Sequence, residues 1–296
     1  MGAISRRAFL ARAAGSAAAA VFTAAHRVEL GAYPLTLAIG SQVYPHRALL
    51  RDFPAFCRLM SDIGVSRLEL CSPMGYKGDF LALSNARQTR RIMIDHGLKC
   101  ESAHFTLPEL RTQQMESIAW AKEVGATQMI VASLGDGNGF GSPTLEQIKR
   151  AADEYNRIAA VAAREGLQQG LHNEVFEHSI VDGVRTYDRL FELLDPKLVK
   201  FQFQMSAITA GMSGAQYFLK YPGRFISMHV QDLDMEAQPT GARGSASRPQ
   251  RALGQGSIDW VSTFRCARIG GIKNYYVEQN LELTKISVAY LKALKV

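Results

Sequence analysis

Ala163-Arg164-Glu165-Gly166-Leu167-Gln168-Gln169-Gly170-Leu171-His172 reads as the end of a helix, a stop, a short strand and a polar residue where the strand ends. A glycine just past the last helical turn takes the left-handed conformation that a Cβ disfavours, so Gly166 is where the helix should finish. The same punctuation recurs at Ile63-Gly64-Val65, His96-Gly97-Leu98 and Val124-Gly125-Ala126. Each join predicts a helix handing over directly to a strand.

Working outward, short apolar or β-branched runs alternate with helical stretches of roughly 10 to 20 residues, the pattern of βα units around a parallel sheet. Eight strands are predicted: Leu35 to Gln42, Ser66 to Cys71, Lys99 to His104, Gln128 to Ala132, Gln168 to Leu171, Val199 to Gln204, Phe225 to His229 and Asn274 to Val277. Helical stretches between them include Phe53 to Ile63, Ser84 to His96, Gln113 to Val124, Leu145 to Glu165, Tyr187 to Leu194, Ala215 to Tyr221, Trp260 to Ile269 and Thr284 to Leu294. Eight units favour a closed (β/α)₈ TIM barrel of the α/β class, a single domain over residues 35–296. An open doubly wound sheet is the competing architecture. It would carry a glycine-rich phosphate turn after the first strand, where this chain has Gly40-Ser41-Gln42-Val43-Tyr44-Pro45, so no nucleotide cofactor is expected either.

Residues 1–25 stand apart. Ser5-Arg6-Arg7-Ala8-Phe9-Leu10 precedes an Ala-rich run from Ala13 to Val21 and the small residues Thr23-Ala24-Ala25, with no acidic side chain. That is the order of a twin-arginine signal peptide, and it predicts an exported, periplasmic or secreted protein that is soluble after processing. The apolar run is shorter than the roughly 20 residues a membrane span requires, so stable insertion is not expected. The formal charge of +7 falls to about +4 without Arg6, Arg7 and Arg12. That excess is small and no basic stripe interleaves with aromatics, which argues against nucleic acid as a partner. Cys57, Cys71, Cys100 and Cys266 are scattered without ligand spacing and are read as free, buried thiols.

One connection breaks the rhythm. Residues 232–256, after the seventh strand, form a stretch rich in Gly, Pro, Ser and Arg, far longer than an ordinary βα loop. It is either a surface insertion or a lid, with Arg243, Arg248 or Arg251 available to an anionic or hydroxyl-rich substrate.

Catalytic groups of barrel enzymes project from the C-terminal ends of strands. The polar residues there are Gln42, Glu69, His104, His172 with Asn173 and Glu174, Gln204, His229 with Gln231 and Asp232, and Glu278 with Gln279. Three imidazoles and several carboxylates from different strands can bind a divalent metal. Each histidine taken singly is more often a satisfied structural residue; their shared position is the signal. Trp120 and Trp260 fall on helix faces and read as packing residues, while Phe105, Phe176 and Met205 are candidates for an apolar pocket wall.

Five segments occur in order: Leu171 to Glu177 (LHNEVFE), Leu198 to Gln204 (LVKFQFQ), Tyr221 to Asp232 (YPGRFISMHVQD), Gly254 to Trp260 (GQGSIDW) and Tyr276 to Gln279 (YVEQ). Together they resemble the sugar phosphate isomerase/epimerase family of xylose isomerase-like barrels, over most of residues 35 to 295. The resemblance implies an enzyme that uses a divalent metal, Mn or alternatively Zn, Mg or Fe, held by His172, Gln204, His229 and Glu278. It implies Glu174 or Glu177 as the proton-moving base, with His104 beside them. Gln42, Tyr44, Asn173, Gln231 and Asp232 would bind a small carbohydrate. Gln204 stands where the family often has Asp, which removes a negative charge; it either still coordinates or hydrogen-bonds substrate instead. The expected reaction is isomerisation or epimerisation of a sugar or keto-sugar by proton removal next to a carbonyl, through an enediolate. Cleavage of a 3-keto-glycoside by β-elimination and a non-catalytic sugar-binding barrel are the alternatives. A homo-oligomer is compatible with all three.

Overall fold

The computed structural model describes residues 35–135, 143–239 and 248–296. The twin-arginine segment and Arg243 lie outside the described residues.

Eight parallel strands close into a barrel: β1 Ile39–Gln42, β2 Arg67–Cys71, β3 Lys99–Phe105, β4 Gln128–Val131, β5 Gln168–Leu171, β6 Val199–Gln204, β7 Phe225–Val230 and β8 Asn274–Val277. Each pairs with its sequence neighbours, and β1 closes the ring against β8 through Ile39↔Tyr275, Gly40↔Tyr276 and Ser41↔Val277. The (β/α)₈ expectation is met strand for strand. β1 is shorter than expected, starting at Ile39 and not Leu35. Gly64, Gly97, Gly125 and Gly166 all sit at positive φ, from 72° to 101°, immediately before their strands. At Gly125 the backbone N–H caps the carbonyls of Ala121 and Lys122, closing the helix Gln114–Val124.

Helices start on side-chain caps that sequence reading left aside. Asp52, Asn85, Thr106, Thr144, Ser213, Asp259 and Asn280 each accept from a backbone N–H of the first turn. The stretch after β3 is two helices, Leu107–Thr112 and Gln114–Val124, broken at Gln113. Short 3₁₀ segments at Tyr44–Asp52, Gly78–Leu83 and Met205–Ala210 also lie outside the expected pattern.

Strand alternation sorts the core into two zones. Outward-facing residues such as Phe105, Phe201 and Phe203 pack on the helices: Phe105 stands edge-on to Trp120 at 5.9 Å between centroids, and Phe201 stacks on Phe191 at 3.8 Å. Phe105 and Met205 are fully enclosed in this zone and form no pocket wall, whereas Phe176 is half-buried. Inside the barrel, Gly40 makes room for Tyr276: a Cβ there would come within 2.5 Å of the Tyr276 ring. Above that level the interior turns polar. Glu69, Ser102, Gln202 and Ser227 are all completely buried, and they support the ring of strand-end side chains at the mouth.

The long connection after β7 is anchored at its base. Asp232–Leu233 pairs antiparallel with Gln250–Arg251, and Arg251 forms an ion pair with Asp234 at 2.9 Å. Arg248 donates to the Ala237 carbonyl. Both arginines are thus engaged within their own loop. The described cysteines are unpaired; three are buried and Cys266 is half-buried. Burial pushes the Cys57 and Cys100 thiols up to about 12, which leaves them inert. No helix among the described residues is long and apolar enough to cross a membrane.

Candidate active site and metal centre

Parallel register brings the strand ends level. Gln204 lies opposite His229, Cys71 opposite His104, and Gln42 opposite Glu69. His104, His172 and His229 converge: their ring centroids are 5.4 Å (104 to 172), 5.0 Å (104 to 229) and 4.6 Å (172 to 229) apart. One nitrogen from each ring lies within 4.8 Å of the others, which makes this a group able to hold a metal ion.

Carboxylates flank the cluster on both sides. Below it, Glu69 accepts from His229 Nε2, from Ser102 Oγ, from Gln202 Nε2 at 2.8 Å and from Gln42 Nε2 at 3.4 Å. Above it, Glu278 Oε2 lies 3.4 Å from His229 Nδ1. Glu174 Oε1 lies 3.4 Å from His172 Nε2, and its side chain is 51% exposed at the rim. Burial alone would raise Glu69, but the charges of His104 and His229 and the hydrogen bonds from His229 and Ser102 bring it down to about 2. Glu278 follows the same balance: burial opposes ionisation, and His229 overrides it to give about 2. Burial works against a charge on His229, yet Glu278 and Glu69 carry its imidazole up to about 10. His104 goes the other way, since burial outweighs Glu69 and holds it down to about 4, a neutral ring.

The remaining expected site residues divide by what holds them. Gln204 donates to Glu278 through Nε2 and accepts from Gln231 Nε2 at 2.9 Å through Oε1. The carboxylate can only accept, which fixes that orientation of the amide. Gln231 also donates to Glu278 at 3.0 Å and accepts from Gln250 at 2.7 Å. Gln42 is buried, its Oε1 accepting from the Tyr44 N–H at 2.7 Å. Tyr44 itself is 44% exposed, with its ring stacked on Phe80 at 5.9 Å and flanked by Tyr76.

Three others are turned away from the mouth. Asn173 accepts the Gln204 N–H at 2.9 Å and donates to His178 Nε2 at 2.9 Å. Glu177 is completely buried and spends its carboxylate on Ser133 Oγ, the Leu134 N–H at 2.8 Å and the Glu174 N–H at 3.0 Å. Asp232 accepts from the N–H groups of Leu233, Gly254, Gly256 and Ile258 and from Trp260 Nε1 at 2.8 Å. Asp232 is therefore the brace of the long loop, and Glu177 ties the β4 exit to the β5 exit.

Gln202, which sequence reasoning did not name, and Glu69, which it named only as a polar strand-end residue with no role, are central to the site. Gln202 bridges His104 and His172, and Glu69 holds His229. Glu69 stands at a strand end and was legible as a polar strand-end residue. Gln202 sits two residues before the end of β6, and only the alternation that puts Gln202 and Gln204 on one face could have flagged it.

The class that this fold and its strand ends define is a (β/α)₈ TIM barrel with a histidine-rich polar mouth. Among solved structures the chain is similar to a sugar phosphate isomerase/epimerase from Parabacteroides distasonis, with a TM-score of 0.72 at 20% identity, covering 88% of this chain and 97% of that one. It is similar to a D-allulose 3-epimerase from Methylomonas sp. (TM-score 0.60, 13% identity, 89% and 99% covered). A third, the IOLI protein with a bound zinc atom, gives a TM-score of 0.61 at 13% identity, with 87% and 94% covered. No protein-family model matches the chain, and no curated protein matches it in sequence. At these identities the likeness is one of fold.

Proposed function

We propose that this protein is a metal-assisted isomerase or epimerase of a sugar or keto-sugar, acting by proton removal from a carbon next to a carbonyl. The observation that carries the reading is His229 Nδ1. It is buried, has no hydrogen-bond partner, and faces Glu278 at 3.4 Å, while the opposite ring nitrogen is bound to Glu69. A carboxylate–histidine pair whose far nitrogen has no hydrogen-bond partner is how proteins present a metal ligand, and an ion bound there would displace the proton that the two carboxylates hold on His229. His172 and Glu278 stand beside it, so the side chains present fit a divalent ion.

Such an ion, when bound, supplies a positive charge that stabilises oxyanion character at a sugar carbonyl. The chain's own residues do the rest. Glu174, half-exposed at the rim beside His172, takes and returns the proton. Tyr44 offers an aromatic face at the same rim, and Gln231 is within reach of the Glu278 carboxylate that it helps to orient. The twin-arginine reading of residues 1–25 supports a site of action outside the cytoplasm, which favours a free sugar over a phosphorylated one.

A second reading is favoured by Tyr44, whose exposed ring is backed by Phe80 and Tyr76. That platform could seat a leaving sugar or aryl ring, so that the same proton removal expels a β-substituent from a 3-keto-glycoside. The experiment is incubation of metal-loaded protein in D₂O with a panel of keto-sugars, aldoses and 3-keto-glycosides, followed by NMR. Deuterium entry next to the carbonyl supports the proposal, and release of an aglycone selects the second reading. Neither event with any substrate, at full metal occupancy, would leave a sugar-binding barrel without turnover.

A further inference from the structure

The histidine cluster rests on buried side chains that decide which nitrogen each ring offers. Gln202 is completely buried, and its Nε2 donates to Glu69 Oε1 at 2.8 Å and to Ser227 Oγ at 2.9 Å. Because Glu69 can only accept, the amide cannot be turned round. Gln202 Oε1 therefore faces His104 Nε2 at 2.7 Å and His172 Nδ1 at 2.9 Å. Having no hydrogen of its own, that oxygen accepts an N–H from both rings, which leaves lone pairs on His104 Nδ1 and His172 Nε2. Glu69 does the same for His229 by taking its Nε2–H, and Nδ1 is left without a partner. A single buried Gln–Glu pair thus engages one nitrogen of each of three imidazoles and leaves the other for a ligand.

We infer that His104, His172 and His229, with Glu278 as the oxygen donor, form the metal-holding set, and that this nitrogen-rich site takes an ion of the Zn(II) or Fe(II) class over Mn(II) or Mg(II). Imidazole suits the former ions, while carboxylate, carbonyl and water suit the latter. This rests on the metal-assisted reading above and departs from the set expected from sequence, because His104 enters and Gln204 leaves. Gln204 has its Nε2 on Glu278 and its Oε1 on Gln231, so its role is to hold Glu278. Two metal–nitrogen bonds of about 2.1 Å span at most roughly 4.2 Å. One nitrogen of each ring lies within 4.8 Å of the others, a spread comparable with that limit, and Gln202 and Glu69, which accept the rings' N–H groups, are positioning residues and not ligands.

The test uses the full chain, stripped with chelator and titrated separately with zinc chloride and manganese(II) chloride by calorimetry. Most sites prefer zinc to manganese, so the variants decide. His104→Ala is expected to weaken zinc binding by about 100-fold and to shrink the zinc-to-manganese affinity ratio by about tenfold, Gln202→Leu to weaken zinc by roughly 10- to 100-fold, and Gln204→Ala, which loses only a support of Glu278, to weaken it by about tenfold and leave the zinc-to-manganese ratio unchanged. Unchanged zinc binding in His104→Ala, or a larger loss in Gln204→Ala, overturns the assignment. Should the His104 variant fail to fold, the wild-type chain loaded with cobalt(II) decides by proton NMR. Three paramagnetically shifted, solvent-exchangeable imidazole N–H signals are expected, one for each ligated ring, and two would exclude His104. Zinc binding of this pattern with no proton exchange in any sugar leaves the site standing and sinks the proposed activity. Manganese-supported exchange that survives His104→Ala does the reverse.

Discussion

Glu69 on β2 accepts the Nε2–H of His229 on β7, across the full width of the barrel and 160 residues away in sequence. Both side chains are buried, and Ser102, Gln202 and Gln42 add three further donors to the carboxylate. Replacing Glu69 by Leu strands those donors and an imidazole that is charged in the metal-free protein. Loss of one partner of a buried pair costs about 3–5 kcal/mol, and Glu69→Leu is expected to fall in that range by urea unfolding. A loss under about 1 kcal/mol, the range of exposed ion pairs, would mean that Glu69 does not hold the cluster.

Glu174 has half its side chain in solvent, with His172 Nε2 3.4 Å from one carboxylate oxygen, and a glutamine keeps an acceptor for the capping box with Glu177. Glu174→Gln should therefore leave the melting temperature and the metal content unchanged while lowering the rate of proton exchange by about 10² to 10⁴-fold, the usual contribution of a general base. Undiminished exchange in this variant, measured by NMR in D₂O, would remove Glu174 from the proton-transfer role.

Asp232 gathers four backbone N–H groups and the Trp260 indole N–H around one buried carboxylate. Asp232→Ala leaves five donors without their acceptor, and loss of a buried charged acceptor costs roughly 3 kcal/mol or more. The expected signature is local: faster limited proteolysis within residues 232–256. Equal cleavage rates in both proteins would show that the pairing of Asp232–Leu233 with Gln250–Arg251 holds the loop alone.

Glu177 supplies a pH signature for stability. Burial pushes its carboxyl up from an ordinary 4.5 to about 7, against the donors from Leu134, Glu174 and Ser133 that pull it down. Between those values the folded protein keeps a proton that the unfolded chain has lost. Stability therefore falls as pH rises through that window, by up to about 3 kcal/mol, and stays lowered above it. His46 and His178, held by burial at about 4, run oppositely between that value and 6.5, so the difference between two proteins is the measurement. Unfolding free energies of wild type and Glu177→Gln across this range should diverge in slope, with the variant gaining relative to wild type as pH rises. Parallel profiles would show that Glu177 titrates normally.

The sequence, taken alone, determined the barrel. Gly64, Gly97, Gly125 and Gly166 mark helix ends through a local backbone requirement, and apolar runs of strand length mark the eight strands, so both signals lie within a few residues of what they specify. Other local signals were present but unread: Asp182-Gly183, both at positive φ, turns the small hairpin Ile180–Val181/Val184–Arg185, as an Asp-Gly pair between strands does.

The site was legible only as a set of candidates. Strand ends named Glu69, His104, His172, Gln204, His229 and Glu278, because a parallel barrel delivers every strand end to one mouth. Which carboxylate faces the mouth was decided by tertiary structure: Glu174 reaches the rim, while Glu177 and Asp232 are consumed by backbone donors from other segments. The reason is physical. Tautomer, charge and free lone pairs depend on partners from different strands, such as Gln202 to His104 across 98 residues, and no local pattern in the chain encodes which of those partners will meet.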